Sequence, residues 1–296
     1  MIDEQVLGIR VNLETHRFYN VVTNQFVMWY KSNRYTITIE KELKQIMIQI
    51  VLDKPHDSSA FVDLFLNIHC FNMLFEGSFY KIKEIYFLED NGEFIKKTEI
   101  IDGLVDCYNS HNQFEKDLFW LGNLKEEAYK NILNKWNELF SDITLLHNVY
   151  LYSNCSINFP VDLRFFLQFQ CFEPLAGLLK RKGIIDYSAE ADMNEKMESV
   201  IEKYGGVVFK KENDDGDTEA IVSKMINTRV RVAHSKNKCN VLNGEQCWEY
   251  TLKLSIMYRL IILDLLGISP DCFLERVNNA TEQINNSFNA NNGGAV

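Results

Sequence analysis

The chain has 296 residues, of which 46% are hydrophobic, 12% aromatic and only four proline. This excludes a disordered, collagen-like or low-complexity protein, and the length allows one large or two modest domains. Lys and Arg number 31 against 41 Asp and Glu, a formal net charge of −10. That excludes a protein that coats nucleic acid by bulk charge, but it leaves room for a local basic site.

The start, Met1-Ile2-Asp3-Glu4, is acidic and has no hydrophobic run, so no signal peptide is expected. Tyr35-Thr36-Ile37-Thr38-Ile39 alternates and is β-branched, as a half-buried strand does. Ile46–Leu52 is a second β-rich run. Ser58 to Phe75 reads as a helix with Ser58 or Ser59 as cap, an apolar stripe through Phe61, Leu64, Phe65, Ile68 and Phe71, and Gly77 at its close. Phe79–Phe87 alternates as a strand. Asp90-Asn91-Gly92 supplies a turn, and Phe94–Ile101 pairs back.

After about residue 105 helical periods dominate. Lys125–Leu139 places Ala128, Ile132, Leu133 and Trp136 at helical spacing, and Leu145–Tyr152 reads as a second, short helix. Pro160 suits a helix start, and Val161–Leu179 follows as an apolar helix that Pro174 must kink or break. Ala189–Tyr204 is helical and ends at Gly205-Gly206. Lys210–Asp217 reads as a solvated loop. Thr218 caps a helix to about Ser235, Gln246–Leu266 is a long apolar helix closed by Gly267, and Ser269-Pro270 opens a last helix to about Phe288. The expected fold class is therefore α+β. Residues 1–122 form a mixed N-terminal domain, 123–289 a helical domain, and 290–296 a disordered tail. The apolar runs are short and carry charges, such as Arg259 and Asp264 in Ile256–Leu266, so no transmembrane helix and no membrane partner are expected.

Cys70, Cys107, Cys155, Cys171, Cys239, Cys247 and Cys272 are odd in number and contain no C-x-x-C pair. Buried thiols in a reducing cytoplasm explain most of them. Cys239, Cys247 and His234 come closest to a zinc set, but their spacing fits no zinc pattern, so neither metal nor cofactor is expected. His69 and His147 sit in apolar runs and read as core histidines. Trp120, Trp136 and Trp248 read as core or interface aromatics rather than base-stacking platforms.

One window departs from the acidic background. Residues 220–244 carry Lys224, Arg229, Arg231, Lys236 and Lys238 and no Asp or Glu before Gly244. A helix end that favours cations accounts for part of this. The chemistry of Ile226–His234 goes further. A histidine can move a proton at a ribose hydroxyl near neutral pH, and an arginine can stabilise charge on phosphate oxygens. Arg231 and His234, three apart, share a helix face, and Asn227 lies four before Arg231. Arg229 lies five before His234, about 140° round an ideal helix. For Arg229 and His234 to act together, the helix must end there or a second copy must supply one of them.

Arg229-x4-His234 resembles the R-x(4–6)-H motif of the HEPN family (higher eukaryotes and prokaryotes nucleotide-binding domains). The surroundings strengthen the likeness. Ile226–Ser235 followed by Leu252–Leu266-Gly267-Ile268 is similar to the end of an ApeA-type HEPN domain. Pro160–Glu173 is similar to that family's helix ending in an apolar-Glu pair, and Asn67–Ile85 to the domain that precedes HEPN.

The resemblance implies a helical bundle that forms a homodimer, with Arg229 and His234 of both copies in one cleft. It also implies a metal-independent endoribonuclease that leaves a 2′,3′-cyclic phosphate, and an anti-phage abortive-infection role in the cytoplasm. The RNA would be tRNA or another structured RNA, and the trigger phage-derived or a nucleotide. Asn227, Arg231, Lys224, Lys236 and Lys238 would support the pair or bind RNA. Glu173 is either an exposed acid after an apolar face or a buried acid orienting the motif. The family usually has a polar residue directly after the motif arginine; this chain has Val230. The second reading is a non-catalytic HEPN module that binds nucleotide or RNA and dimerises.

Overall fold

The computed structural model describes residues 4–14, 24–42, 45–76, 81–97, 118–121, 124–154, 159–235 and 238–292. The chain divides into two compact units, residues 1–142 and 143–296.

The first unit holds β1 (Gln5–Glu14), β2 (Asn24–Tyr30), β3 (Asn33–Glu42), β4 (Gln45–Asp57), α1 (Ser58–Glu76), β5 (Lys81–Leu88) and β6 (Phe94–Lys96). The strands form one antiparallel sheet in the order β2-β3-β4-β1-β5-β6. β4 and β5 both run antiparallel to β1, so they are parallel to each other and no hairpin can join them. α1 supplies the crossover. Register lines up Ile37, Ile50, Ile9 and Phe87 in one row and Ile39, Ile48, Val11 and Ile85 in the next, all buried. α1 packs on β1 and β4 and buries Phe61, Leu64, Phe65, Ile68, Phe71 and Leu74. Each such side chain contributes roughly 1.5–3 kcal/mol. Ser58–Phe75 is long and apolar enough to cross a membrane by length and composition, but 78% of it is buried inside the fold.

The central strand β1 was not among the expected strands, although Ile9-Arg10-Val11-Asn12-Leu13 alternates cleanly. A bulge between Val6 and Gly8 breaks the pattern just before it. A Cβ at Gly8 would lie 2.5 Å from the Ile50 carbonyl oxygen, so the bulge brings the backbones closer than a side chain allows. β6 is shorter than the expected Phe94–Ile101; residues 98–101, like Gly77, lie outside the described residues.

α2 (Glu126–Ser153) replaces the two helices expected over Lys125–Leu139 and Leu145–Tyr152, and the division between the units falls inside it. Its apolar stripe never stops: Leu133, Trp136, Leu139, Ile143, His147 and Tyr150 are all buried. In the first unit, Trp136 Nε1 donates to the Asn67 carbonyl at 3.1 Å and Tyr129 OH to Asn72 Oδ1 at 3.0 Å, so both buried aromatics have partners.

The second unit continues with α3 (Val161–Gln170), α4 (Phe172–Arg181), α5 (Met193–Tyr204), α6 (Lys210–Asp214), α7 (Thr218–His234), α8 (Gly244–Leu265), a 3₁₀ turn (Pro270–Phe273) and α9 (Leu274–Asn292). Residues 293–296 lie outside the described residues. α8 is the core: every residue from Tyr250 to Leu263 is buried, as in a helix surrounded on all sides. Tyr258 stacks on Tyr150 at 4.1 Å, and its hydroxyl lies 3.1 Å from His147 Nδ1, so His147 is a core histidine.

The break expected from Pro174 comes at Cys171. Proline has no N–H for the carbonyl of Gln170, four residues earlier, and its ring crowds that carbonyl. α3 accordingly ends at Gln170. α5 starts at Met193 rather than Ala189, because Asp192 accepts from the Asn194 and Glu195 amides and caps it.

The larger correction is Lys210–Asp217, expected to be a solvated loop. Lys210–Asp214 forms a short helix that buries Glu212. Its carboxylate accepts from Lys253 Nζ at 2.5 Å and from Tyr250 OH at 3.0 Å, and Lys253 also reaches Glu249 at 2.9 Å. A polar run with no apolar residue carries no pattern that marks one glutamate as internal.

Candidate nuclease site

α7 buries Ile221, Val222, Met225 and Thr228, a stripe at helical spacing that fixes which face looks inward. Arg229 follows the stripe. Its Nη2 lies 3.5 Å from Gln170 Oε1, at the end of α3, and 3.7 Å from Glu173 Oε2, in the first turn of α4. The other oxygen of Glu173 lies 3.3 Å from Lys196 Nζ on α5. The break at Cys171 therefore presents one amide and one carboxylate to the motif arginine. Glu173 meets Arg229 without being buried; its side chain is 44% exposed and that of Arg229 26%.

His234 is the last residue of α7 and is exposed. Ser235 follows in the left-handed region at φ 50, so the helix stops there. The helix does not end between Arg229 and His234. They lie about 140° and 7.5 Å apart on one continuous helix. Arg231 and Asp162 both face Cys247. Burial, helped by Asp162 and opposed by Arg231, pushes that thiol up to about 11. Lys224 is half-buried and Lys238 exposed, while Lys236 lies outside the described residues. Asn227 donates to the Asn240 carbonyl at 3.4 Å, in the segment after the motif. Val230 is half-buried on the same helix.

Two residues at this site carried no sequence signal. Gln170 ends the apolar helix α3, and nothing in its sequence context marks it out. Thr228, between Asn227 and Arg229, is fully buried; its hydroxyl donates to the Lys224 carbonyl and accepts from the Leu242 amide, both at 2.8 Å.

Residues 178–272 match the Apea-like HEPN family. This match lies wholly within the second unit. The match takes in Arg229, His234 and the whole of α8, about a third of the chain, and begins just after Gln170 and Glu173. No curated protein and no solved structure matches the chain.

The expected α+β class holds, with an antiparallel sheet first and the helices that carry the HEPN match after it. Among the described residues, no three His, Cys, Asp or Glu side chains are grouped to hold a metal ion. Cys239 and Cys272 are exposed, against the expectation of mostly buried thiols, whereas Cys171 and Cys247 are buried. Trp136 is core. Trp120 is exposed, and Trp248 is half-buried with the Arg164 guanidinium 5.7 Å above its ring. The likeness to Apea-like HEPN domains suggests RNA cleavage or RNA binding.

Proposed function

We propose that the chain is a metal-independent endoribonuclease that acts on tRNA or another structured RNA as an anti-phage abortive-infection effector in the cytoplasm. The observation that carries this reading is the pairing of an exposed His234 at the free end of α7 with a partly exposed Arg229 on the same helix, inside the Apea-like HEPN match. Neutral His234 takes the proton of a ribose 2′-OH, and the oxygen attacks the adjacent phosphorus. The bond to the 5′-oxygen breaks, the proton held by the imidazolium passes to that oxygen, and a 2′,3′-cyclic phosphate remains. Arg229 offsets the charge on the non-bridging oxygens. Arg231, Lys224, Lys236 and Lys238 hold the RNA backbone, and Asn227 supports the motif. The two motif residues leave one helix on different faces, so a homodimer, with one cleft drawn from two copies, brings arginine and histidine together. A phage-derived or nucleotide trigger sets the activity.

The test is purified protein with total tRNA in EDTA. Wild type should yield fragments with cyclic-phosphate ends, and His234→Ala should lower the rate by about 100-fold or more. Equal cleavage by both would overturn the assignment of His234.

Val230, where the family usually has a polar residue, favours a second reading: a non-cleaving module that binds RNA or nucleotide and dimerises. Expression in cells separates the two. Growth arrest by wild type and rescue by Arg229→Ala supports the nuclease; tolerance of both forms supports the module.

A further inference from the structure

We infer that Thr228 is a positioning residue for this site, an inference that rests on the endoribonuclease reading. Leu242 comes eight residues after His234, yet its amide bonds to Thr228, six residues before His234. On α7 that is about 9 Å back along the axis. Asn240 and Leu242 are therefore tied to two successive residues of the motif helix, Asn227 and Thr228. The Leu242 amide is buried outside any helix or strand, where an N–H must find an acceptor. The Thr228 hydroxyl is that acceptor, and its own proton is already committed to the Lys224 carbonyl, which fixes its orientation.

This clasp bears on the chemistry because His234 is exposed and has no core packing to place it. Its position depends on where α7 stops and how the chain leaves. Ser235 holds a left-handed conformation that costs a non-glycine residue of order 1 kcal/mol, and such a conformation persists only where the surroundings enforce it. The Thr228–Leu242 bond ties the chain that follows the motif back to α7, six residues before His234. Immediately beyond it, Asn243 opens α8 with a reciprocal capping box: its side chain accepts from the Gln246 amide at 2.8 Å, and Gln246 Oε1 accepts from the Asn243 amide at 3.1 Å. Exposed Lys238 thus lies just before the two ties to α7 at Asn240 and Leu242.

Threonine and valine have nearly the same shape, so substitution separates the hydroxyl from packing. Thr228→Val keeps the volume and deletes both hydrogen bonds; Thr228→Ser keeps the hydroxyl and deletes the methyl. On tRNA in EDTA, Thr228→Val should lower kcat by about tenfold or more while KM stays within about threefold, and Thr228→Ser should stay within about threefold of wild type. Hydrogen exchange at the Leu242 amide should accelerate in Thr228→Val only. Asn227→Ala cuts the second tie without leaving a buried orphan, so it carries the test if Thr228→Val fails to fold; kcat should again fall ahead of KM. Wild-type kcat in the valine variant, or an equal loss in the serine variant, overturns the inference. A wild type that cuts no RNA overturns the nuclease reading itself, a result distinct from a cutting wild type matched by Thr228→Val.

Discussion

Lys253→Met is the sharpest test of how the second unit is held together. Lys253 is 0% exposed and lies between two carboxylates: Glu212 at 2.5 Å, whose side chain is 6% exposed, and Glu249 at 2.9 Å, 13% exposed. Methionine keeps most of the apolar stem and removes the charge. Glu212 is then left in the interior with Tyr250 OH as its remaining donor among the bonds described above. Deleting one partner of a buried pair costs about 3–5 kcal/mol, because the remaining charge is uncompensated. For a unit of this size each kcal/mol lowers the melting temperature by roughly 2–4 °C, so a fall of roughly 6–20 °C is expected. Calorimetry of the full chain at pH 7 reads it directly. Adding Glu212→Gln removes the stranded charge, keeps an acceptor for Tyr250, and should recover more than half of the loss. A single variant that melts within about 3 °C of wild type, or a double variant no better than the single, would refute the buried-pair account.

Two further predictions concern charge elsewhere. Burial holds the His69 imidazole down to about 4, so it stays neutral in the folded first unit. Between pH 6.5 and about 4 the unfolded chain binds a proton that the folded chain refuses. The stability is therefore full above 6.5 and is lost as pH falls through that window, by on the order of 3 kcal/mol. Urea unfolding at pH 7 and pH 5 should show the loss, and His69→Gln should flatten it; an unchanged pH dependence in that variant would place the effect elsewhere. Glu173→Gln should shift the melting temperature by no more than about 2–3 °C, because a half-exposed pair contributes little, while lowering kcat on RNA by roughly threefold to tenfold as Arg229 loses its orienting charge. Unchanged kcat would make Glu173 a bystander.

Much of the fold could be read because apolar spacing reports burial. β3, β4, α1 and β5 announced themselves through alternation or a helical stripe, and Ser269-Pro270 opened a helical turn where expected, the Ser269 hydroxyl accepting from the Asp271 amide at 3.3 Å. Several of the failures share a cause: the decisive residue was polar, or it sat beside a discontinuity. Gly8 hid the central strand. Glu212 gave no sign of its burial because the residues that neutralise it, Tyr250 and Lys253, come about 40 positions later in the sequence. The motif itself was legible, since Arg229 and His234 stand out against an acidic chain. Its supports were not: Gln170 and Thr228 are recruited by a helix break and a returning segment, which spacing alone does not encode.

On the nuclease reading, the ties on Arg229 also bear on how an acidic chain would bind RNA. A guanidinium locked in a buried ion pair could not exchange partners without stranding a charge. Arg229 is instead held at 3.5 Å and 3.7 Å by a neutral amide and a half-exposed carboxylate. A pair of that kind contributes at most about 1 kcal/mol, less as salt rises. A phosphate offers a guanidinium a stronger, two-pronged partner. Glu173 is not abandoned in the exchange, because Lys196 already faces its other oxygen at 3.3 Å. The arrangement keeps Arg229 oriented without RNA and leaves it free to turn to a phosphate, with Lys196 holding the acid back. On the nuclease reading, Lys196→Ala should therefore weaken RNA binding without any contact between Lys196 and RNA, by leaving Glu173 a single cation and so a firmer hold on Arg229.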